Sequence, residues 1–336
     1  MPFDAPAHTF CRIWSQTAVK HYTFVDYATQ AYLALVALLI LFFHNGTVPH
    51  WPWLLAGHCL AMALVHGLIQ ARERYPANRT LGFLGHFYPV LLFAPLFCET
   101  GRLNRMFFPH YLDALAIRCD QALFGWQPGA MLMAKLPWLP LSELLYAAYF
   151  SYYVMIGGVG LILFLRSRQQ FFHYVSVVCF VFYICYLIYI VLPIVGPQVL
   201  SHEIPGYSLP PDLEYLATDH AYPDAVKAGP FFQLMAWIYR VFEAPGAALP
   251  SSHVAIALCT VFFSFRYLRR IRFLHLATVV LLCFSTVYCH YHYGIDVLTG
   301  IVTAATLVPL GNWLYSRSVS RSGPGAKVQT AFSYNR

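Results

Sequence analysis

The hydrophobic positions of this chain fall into long runs separated by short polar segments. A helix that crosses a bilayer needs about 20 mainly apolar residues, and eight runs approach or exceed that length. They are Phe24–Phe43, Trp51–Gln70, Thr80–Cys98, Ser142–Leu165, Phe171–Pro193, Ser251–Tyr267, Phe273–Tyr288 and Tyr293–Tyr315, of which the sixth and seventh are short. The pattern predicts an all-α polytopic membrane protein with about eight transmembrane helices.

Two of the predicted loops are long, and alternation of the spans puts both on one side of the membrane: Glu99–Leu141 and Gln198–Pro250. We expect amphipathic helices that lie in the membrane interface within them, at Phe107–Phe124, Pro128–Lys135 and Pro230–Glu243. Four prolines near the start of the second loop exclude a long regular helix there. Loops of this size indicate a cap over a site on that side, or packing material between the spans.

Composition and charge favour the same class of protein. Of the 336 residues, 59% are hydrophobic and 10% are charged, whereas soluble domains carry about 25% charged residues. The net charge of +7 does not indicate a nucleic-acid partner, because the basic residues lie in short loops between apolar runs. Fifteen of the 21 Lys and Arg fall on one side of the predicted membrane. By the positive-inside rule, both termini are then cytoplasmic and the long loops are extracytoplasmic.

The most informative polar residues lie where apolar runs end. Asp296 follows His292 by four residues, a spacing that puts both side chains on one face of a helix. A carboxylate there can accept the proton of one imidazole nitrogen and leave the other nitrogen with a free lone pair. Such a histidine can take a phosphoryl group as a covalent intermediate. The alternative is that Asp296 only caps a helix.

A second polar group begins the sixth run, where Pro250, Ser251 and Ser252 precede His253. Proline and serine favour a helix start, and the free amides of a helix N-terminus can hold a phosphate oxygen. A histidine at that point could act as a general acid. Read structurally, the segment is an ordinary capping sequence with an interfacial histidine.

Taken together, these residues resemble the type-2 phosphatidic acid phosphatase (PAP2) superfamily. Its motif P-S-G-H is similar to Pro250, Ser251, Ser252 and His253, with serine in place of glycine. Its motif S-R-x5-H-x3-D is similar to Ser285, Thr286, His292 and Asp296, with threonine in place of arginine. The resemblance implies that His292 is the nucleophile, Asp296 its orienting partner and His253 the acid, and that the serines and Thr286 contact the substrate.

The departures from the family pattern indicate a branch. The first motif, K-x6-R-P, has no match, so the site lacks most of the cations that usually hold phosphate. A site with few cations is typical of inositol phosphorylceramide synthases and sphingomyelin synthases. The segments Asp120–Pro128, Ser142–Tyr146 and Leu192–Pro197 also resemble that branch.

The resemblance also implies a division of the chain. The family core is a six-helix bundle, which here corresponds to the third to eighth spans. We therefore expect an N-terminal segment with two additional helices at 1–79, a catalytic membrane domain at 80–315 and a disordered cytoplasmic tail at 316–336.

Other candidate residues are more ambiguous. Glu143 follows Ser142 in the first turn of the fourth span, where it could orient His253 or an acceptor hydroxyl, or simply favour the helix dipole. Most of the outer cations could replace the missing phosphate ligands, or could be interfacial anchors; they are Arg102, Arg105, Arg118, Lys227 and Arg240, with Lys135 as the sixth on that side. His290 is expected to be a neighbour of the site rather than a second catalyst.

These observations predict a membrane enzyme that acts on a lipid substrate through a phosphohistidine on the extracytoplasmic face. Headgroup transfer between lipids is favoured, and lipid phosphate hydrolysis, with water as acceptor, is the alternative. A lipid transporter or binding protein with a decayed site is a hypothesis of another class. The nine cysteines include no C-x-x-C, and no phosphate loop or metal motif occurs, so we expect no cofactor and no metal. The oligomeric state is left open.

Overall fold

The computed structural model describes residues 22–200, 207, 209–216, 222–242 and 245–321. All regular elements in these ranges are helices, which confirms the prediction of an all-α protein. The α-helices are α1 Phe24–Phe43, α2 Trp51–Arg74, α3 Arg79–Leu91, α4 Phe93–Leu103, α5 Asp113–Phe124, α6 Pro128–Lys135, α7 Leu139–Arg166, α8 Arg168–Val191, α9 Asp224–Lys227, α10 Pro230–Phe242, α11 Ser252–Tyr267, α12 Arg272–Tyr288 and α13 Gly294–Arg321. Two 3₁₀ turns, Pro197–Leu200 and Pro211–Leu216, lie between α8 and α9.

Six spans within the described residues are long and apolar enough to cross a membrane: α1, α2, the combined α3–α4, α7, α8 and α13. The chain is thus an integral membrane protein of several helices. Helices α11 and α12 have 16 and 17 residues. At 1.5 Å per residue they span about 25 Å, less than the roughly 30 Å of a hydrocarbon core. Six of the eight predicted spans are therefore long enough to cross a membrane, and the other two are shorter apolar helices.

Several boundaries differ from the expectation. The third span is divided at Leu92, between prolines 89 and 95, and continues to Leu103. The interfacial helix expected from Phe107 begins only at Asp113, since Pro109 disfavours helical backbone before it. Helix α13 continues through Arg321, so the residues from Ser316 onwards are helical up to that point rather than tail. Residues 322–336 lie outside the described residues.

Helix α8 is the centre of the bundle. It packs against α1, α3, α4, α7, α11 and α13, and 72% of its most apolar window is buried, more than in any other span. Its sequence is apolar on all faces, which is typical of a helix surrounded by others. The helices that carry the polar motifs, α11 and α13, therefore stand on a rigid support.

The N-terminal helices join this core through buried polar contacts. Asp26 at the start of α1 accepts hydrogen bonds from the Thr23 amide at 2.8 Å and from the Tyr88 hydroxyl of α3 at 2.5 Å. One turn later, the hydroxyls of Thr29 and Tyr183 of α8 lie 2.9 Å apart. Because unsatisfied polar groups are costly in an apolar core, these pairs specify how α1 seats on α3 and α8.

The short helix α5 carries two buried aspartates, Asp113 and Asp120. They hold the segment after α8 and the start of α13 in place. Asp113 accepts hydrogen bonds from the amides of Val195 and Gly196 and from the Tyr293 hydroxyl, at 2.9 to 3.1 Å. Burial raises the pKa of Asp113 to about 7, although these hydrogen bonds act in the opposite direction. The pKa of Asp120 is raised by burial to about 6.

Asp120 binds the start of α13. Its carboxylate accepts hydrogen bonds from the Gly294 amide at 2.8 Å and the Ile295 amide at 2.7 Å. These are amides that an isolated helix would leave without partners, and a negative charge there favours the helix dipole. The turn that carries His292 is thereby held against α5.

Candidate active site

His292 and Asp296 lie together at the turn between α12 and α13. Nδ1 of His292 is 3.3 Å from Oδ2 of Asp296, and the same oxygen accepts a hydrogen bond from the Tyr293 amide at 2.9 Å. The two residues are 3% and 0% exposed, respectively. A carboxylate next to Nδ1 favours the tautomer that carries its proton there, so Nε2 presents its lone pair. The predicted spacing thus produces the predicted contact.

Nε2 of His292 faces the start of α11, where the other motif lies. It is 3.2 Å from Oγ of Ser251 and 3.5 Å from Nδ1 of His253. The Ser251 hydroxyl also caps α11 by accepting a hydrogen bond from the Val254 amide at 3.3 Å. The structure therefore brings together His292, Asp296, His253 and Ser251, four of the residues that the sequence predicted.

The amides at the start of α11 have less free capacity for an anion than expected. The Ser251 amide donates to the Asp296 carbonyl at 3.0 Å, and the Ser252 amide donates to the Tyr189 hydroxyl at 3.1 Å. These two amides fix the helix on its neighbours, and the Val254 amide is already taken by the Ser251 cap. Ser252 is nearly buried at 4% exposure and contributes to this anchoring.

Ser285 and Thr286, predicted as substrate contacts, turn their hydroxyls back to their own helix. Ser285 Oγ donates to the Leu282 carbonyl at 2.8 Å, and Thr286 Oγ1 donates to the Cys283 carbonyl at 2.9 Å. The carbonyl of Thr286 accepts a hydrogen bond from the His292 amide at 3.0 Å. In this arrangement both residues shape the turn that presents His292.

Glu143 lies at a different place from the imidazoles. Its carboxylate accepts hydrogen bonds from the Phe231 amide at 2.9 Å and the Phe232 amide at 3.3 Å. These amides belong to the first turn of α10, so Glu143 caps α10 from the side of α7. The hypothesis that it orients His253 directly has no support in these contacts.

Tyrosines surround His253. The Tyr149 hydroxyl lies 3.1 Å from Nε2 of His253 and 2.5 Å from the Tyr239 hydroxyl of α10. The rings of Tyr149 and Tyr152 pack on the imidazole with centroids 4.9 and 4.4 Å away. The sequence pattern does not single out these residues, although tyrosines 146, 149, 152 and 153 recur at helical spacing after Glu143 and could have indicated a polar face.

The outer cations of the chain occupy other positions. Arg118 pairs with Asp212 and Lys227 with Asp224, in each case at the protein surface. Lys135 lies over the ring of Trp126 and Arg105 over that of Tyr111. Among the described residues, none of these four cations contacts the imidazoles, so hydroxyl and imidazole groups dominate the polar lining.

No group of three or more His, Cys, Asp or Glu side chains with metal-binding geometry occurs among the described residues. The polar partners of the two imidazoles are each other, Asp296, Ser251 and Tyr149. Together these residues can offer a nucleophilic nitrogen, a proton donor and two hydroxyls to a single group of a substrate.

The architecture and the site together define a helical integral membrane protein with a histidine pair at the ends of its helices. The family model of the PAP2 superfamily matches residues 117–310, more than half of the chain, and the chain belongs to this superfamily. Its members are in general phosphatases or phosphotransferases of lipid phosphates. The match begins within α5, so α1 to α4 lie outside it. No curated protein and no solved structure matches the chain.

Proposed function

We propose that this protein is a lipid phosphotransferase that carries the transferred phospho-headgroup on His292. The observation that supports this most directly is the environment of Nε2 of His292. Nδ1 is held by Asp296, while Nε2 is directed at Ser251 Oγ and at Nδ1 of His253. A nucleophile, its orienting carboxylate and a proton donor are the groups that phosphoryl transfer through a histidine requires.

In the first half-reaction, Nε2 of His292 forms a bond to phosphorus and the bond from phosphorus to the leaving lipid oxygen breaks. His253, protonated on both ring nitrogens, gives the proton on its Nδ1 to that oxygen, so that the leaving group departs as a neutral hydroxyl and the ring becomes neutral. The positive charge that develops on the His292 ring is stabilised by Asp296, which stays ionised.

The second half-reaction reverses these steps with another hydroxyl. The acceptor gives its proton to Nδ1 of His253, its oxygen bonds to phosphorus and the N–P bond breaks, which restores both histidines. Water in place of the acceptor would give hydrolysis through the same intermediate. A transferase and a phosphatase would therefore share the site and differ in whether an alcohol or water attacks the phosphohistidine in the second step.

The scarcity of cations supports transfer from a phosphodiester. A phosphate monoester carries up to two negative charges, and family members hold it with basic residues that this chain lacks at the matching positions. A diester carries one negative charge and needs less compensation. The surface positions of Arg118 and Lys227 and the ring contacts of Lys135 and Arg105 agree with a weakly cationic site. An activity like that of inositol phosphorylceramide synthases fits this charge.

The site belongs, in this proposal, to the extracytoplasmic face, with both termini cytoplasmic. The asymmetry of Lys and Arg between the two sides supports this orientation. A transporter or lipid-binding function is less well supported, because the polar groups lie at helix ends, whereas transporter sites lie near the bilayer midplane.

The experiment is a parallel assay of the purified protein. One arm supplies phosphatidic acid alone, and the other supplies a labelled phosphodiester phospholipid with hydroxyl acceptors such as ceramide, diacylglycerol and inositol, with products resolved by mass. We expect an acceptor-dependent product from the diester and slow phosphate release from phosphatidic acid, both absent in His292→Gln. Rapid phosphate release with no acceptor-dependent product would establish a phosphatase instead.

A further inference from the structure

A second polar cluster lies within the helices that the family match leaves out. Nε2 of His58 in α2 is 3.0 Å from each carboxylate oxygen of Glu99 in α4. The two side chains are 3% and 14% exposed. Ionisable groups inside membrane helices are costly and by default indicate a functional site. The proposed phosphotransfer does not use this pair.

The pair borders a cavity of about 400 Å³ between α1, α2 and α4. Its walls are mainly apolar, with Leu33, Leu54 and Leu96 among them, and Arg102 is part of the lining. Helices α2 and α4 make little direct contact elsewhere, so the His58–Glu99 contact bridges a space that protein atoms do not fill. A pocket with apolar walls and a few polar groups is typical of a ligand site.

Two polar groups at this cavity have spare hydrogen-bonding capacity. Nδ1 of His58 is buried and has no hydrogen-bond partner among the described residues. Arg102, an exposed residue in the last turn of α4, likewise has no acceptor within that part of the chain. Protein atoms enclose Nδ1 of His58, so Arg102 is the group of the two that a ligand in the cavity can reach.

Charge indicates what kind of ligand fits. The carboxylate of Glu99 is engaged by His58, and Arg102 is the cation of the cavity lining. The guanidinium group matches the geometry of phosphate oxygens with two parallel hydrogen bonds. One cation at the end of an apolar cavity complements one anionic phosphate on an acyl chain, which is the chemistry of a phosphodiester lipid.

The cavity lies on the same side of the bundle as the histidine pair. Asn104, two residues after Arg102, donates a hydrogen bond from its side chain to the Pro245 carbonyl at 2.5 Å. Pro245 begins the short segment that leads to Ser251 at the start of α11. A lipid bound here would therefore lie in the same leaflet as the candidate active site, at the end of a helix that is tied to it.

We propose that this cavity is an accessory site for a phosphodiester lipid, with the phosphate on Arg102, the acyl chain on the apolar wall, and the His58–Glu99 pair beside the headgroup. The site is distinct from the histidine pair, and its occupancy does not depend on phosphotransfer.

The test uses a phosphatidylglycerol analogue with a photoreactive group on its acyl chain, added at a subsaturating level to the full-length protein in detergent. Cross-linked peptides from 51–74 and 92–103 are quantified by mass spectrometry. We expect labelling of these peptides, competition by unlabelled phosphatidylglycerol but not by diacylglycerol, and a decrease of about tenfold in Arg102→Gln, the effect of losing a charged hydrogen bond. Arg105→Gln removes a neighbouring cation that lies outside the cavity and should label normally.

His292→Gln should also label normally, so that failure of the proposed enzymatic function leaves this test intact. Equal labelling in Arg102→Gln and Arg105→Gln, or equal competition by diacylglycerol, would mean that the peptides contact only bulk lipid. Absence of label from both peptides would equally reject the site.

Discussion

The hydroxyl of Tyr149 lies 3.1 Å from Nε2 of His253, while Nδ1 of the same ring faces His292. The two nitrogens of His253 thus have different partners on opposite edges of the imidazole. In the protonated ring, Tyr149 accepts the Nε2 proton, so the Nδ1 proton, on the nitrogen next to the proposed nucleophile, is the one available for transfer. Tyr149 is a positioning residue in this scheme, since it acts through the histidine.

Removing that hydroxyl should weaken catalysis without abolishing it. We expect Tyr149→Phe to lower kcat about 10- to 100-fold, the usual range for a group that supports acid–base catalysis indirectly, and to alter the pH profile of kcat more than KM. Tyr153→Phe is the matched control, because Tyr153 contacts His253 only by its ring, at 6.4 Å. A kcat of Tyr149→Phe equal to that of the control would remove Tyr149 from the mechanism.

His292→Gln should abolish turnover while the protein still folds, because it removes a nucleophile from a turn at the end of two helices. We expect the wild type to form an acid-labile phosphoprotein with labelled donor, and the variant to form none. His50→Gln, an exposed histidine in the α1–α2 loop, controls for loss of an imidazole. Substantial residual turnover in His292→Gln would show that another group carries the phosphate.

Asp296→Asn separates orientation from helix capping. The amide keeps the shape of the carboxylate but can hold His292 in the wrong tautomer, so the rate should fall by several orders of magnitude, as in comparable triads. Asp212→Asn at the surface is the control. A fall of less than about tenfold, equivalent to roughly 1.4 kcal/mol, would leave Asp296 as a capping residue, and thermal unfolding would then be the property it affects.

The sequence predicted the helices and the histidine pair because both depend on local pattern. The apolar runs specify the spans, and the i, i+4 spacing of His292 and Asp296 specifies their contact. The partnership of His253 with His292 joins residues 39 positions apart, and there the resemblance to a family motif supplied what spacing could not.

Tertiary contacts between distant residues were not predictable in this way. Glu143 accepts a hydrogen bond from a backbone amide in the first turn of α10, 88 residues away, and contacts neither imidazole. Asp120 lay within a segment noted only for its resemblance, yet it caps α13 and holds the His292 turn. Nothing in the local pattern distinguishes a carboxylate that caps a distant helix from one that joins in catalysis, since both roles place an acid next to free donors.

Topology can be tested at two exposed positions. In a background without native cysteines, Asp212→Cys lies in the loop between α8 and α9, and Arg269→Cys lies between α11 and α12. If the histidine pair is extracytoplasmic, an impermeant thiol reagent should label the first variant in intact cells and the second only after permeabilisation. The reverse pattern would place the site on the cytoplasmic side, with a different pool of lipids.

The two aspartates of α5 should make stability depend on pH. Burial raises the pKa of Asp113 from its ordinary value of 3.8 to about 7 and that of Asp120 to about 6. The folded protein then binds more protons than the unfolded chain between these values, so unfolding becomes easier as pH rises. Their stabilising contribution is complete below pH 3.8 and is lost as pH rises through about 6 for Asp120 and about 7 for Asp113.

Asp113→Asn tests this directly, because the amide is neutral at every pH and keeps an oxygen that can accept from Val195, Gly196 or Tyr293. The thermal unfolding midpoint in detergent should decline between pH 5 and pH 8 in the wild type, and should decline less in Asp113→Asn. Asp212→Asn, which removes an exposed carboxylate, should keep the wild-type slope. A variant slope as steep as that of the wild type would mean that Asp113 is already ionised at pH 5, held so by its three donors.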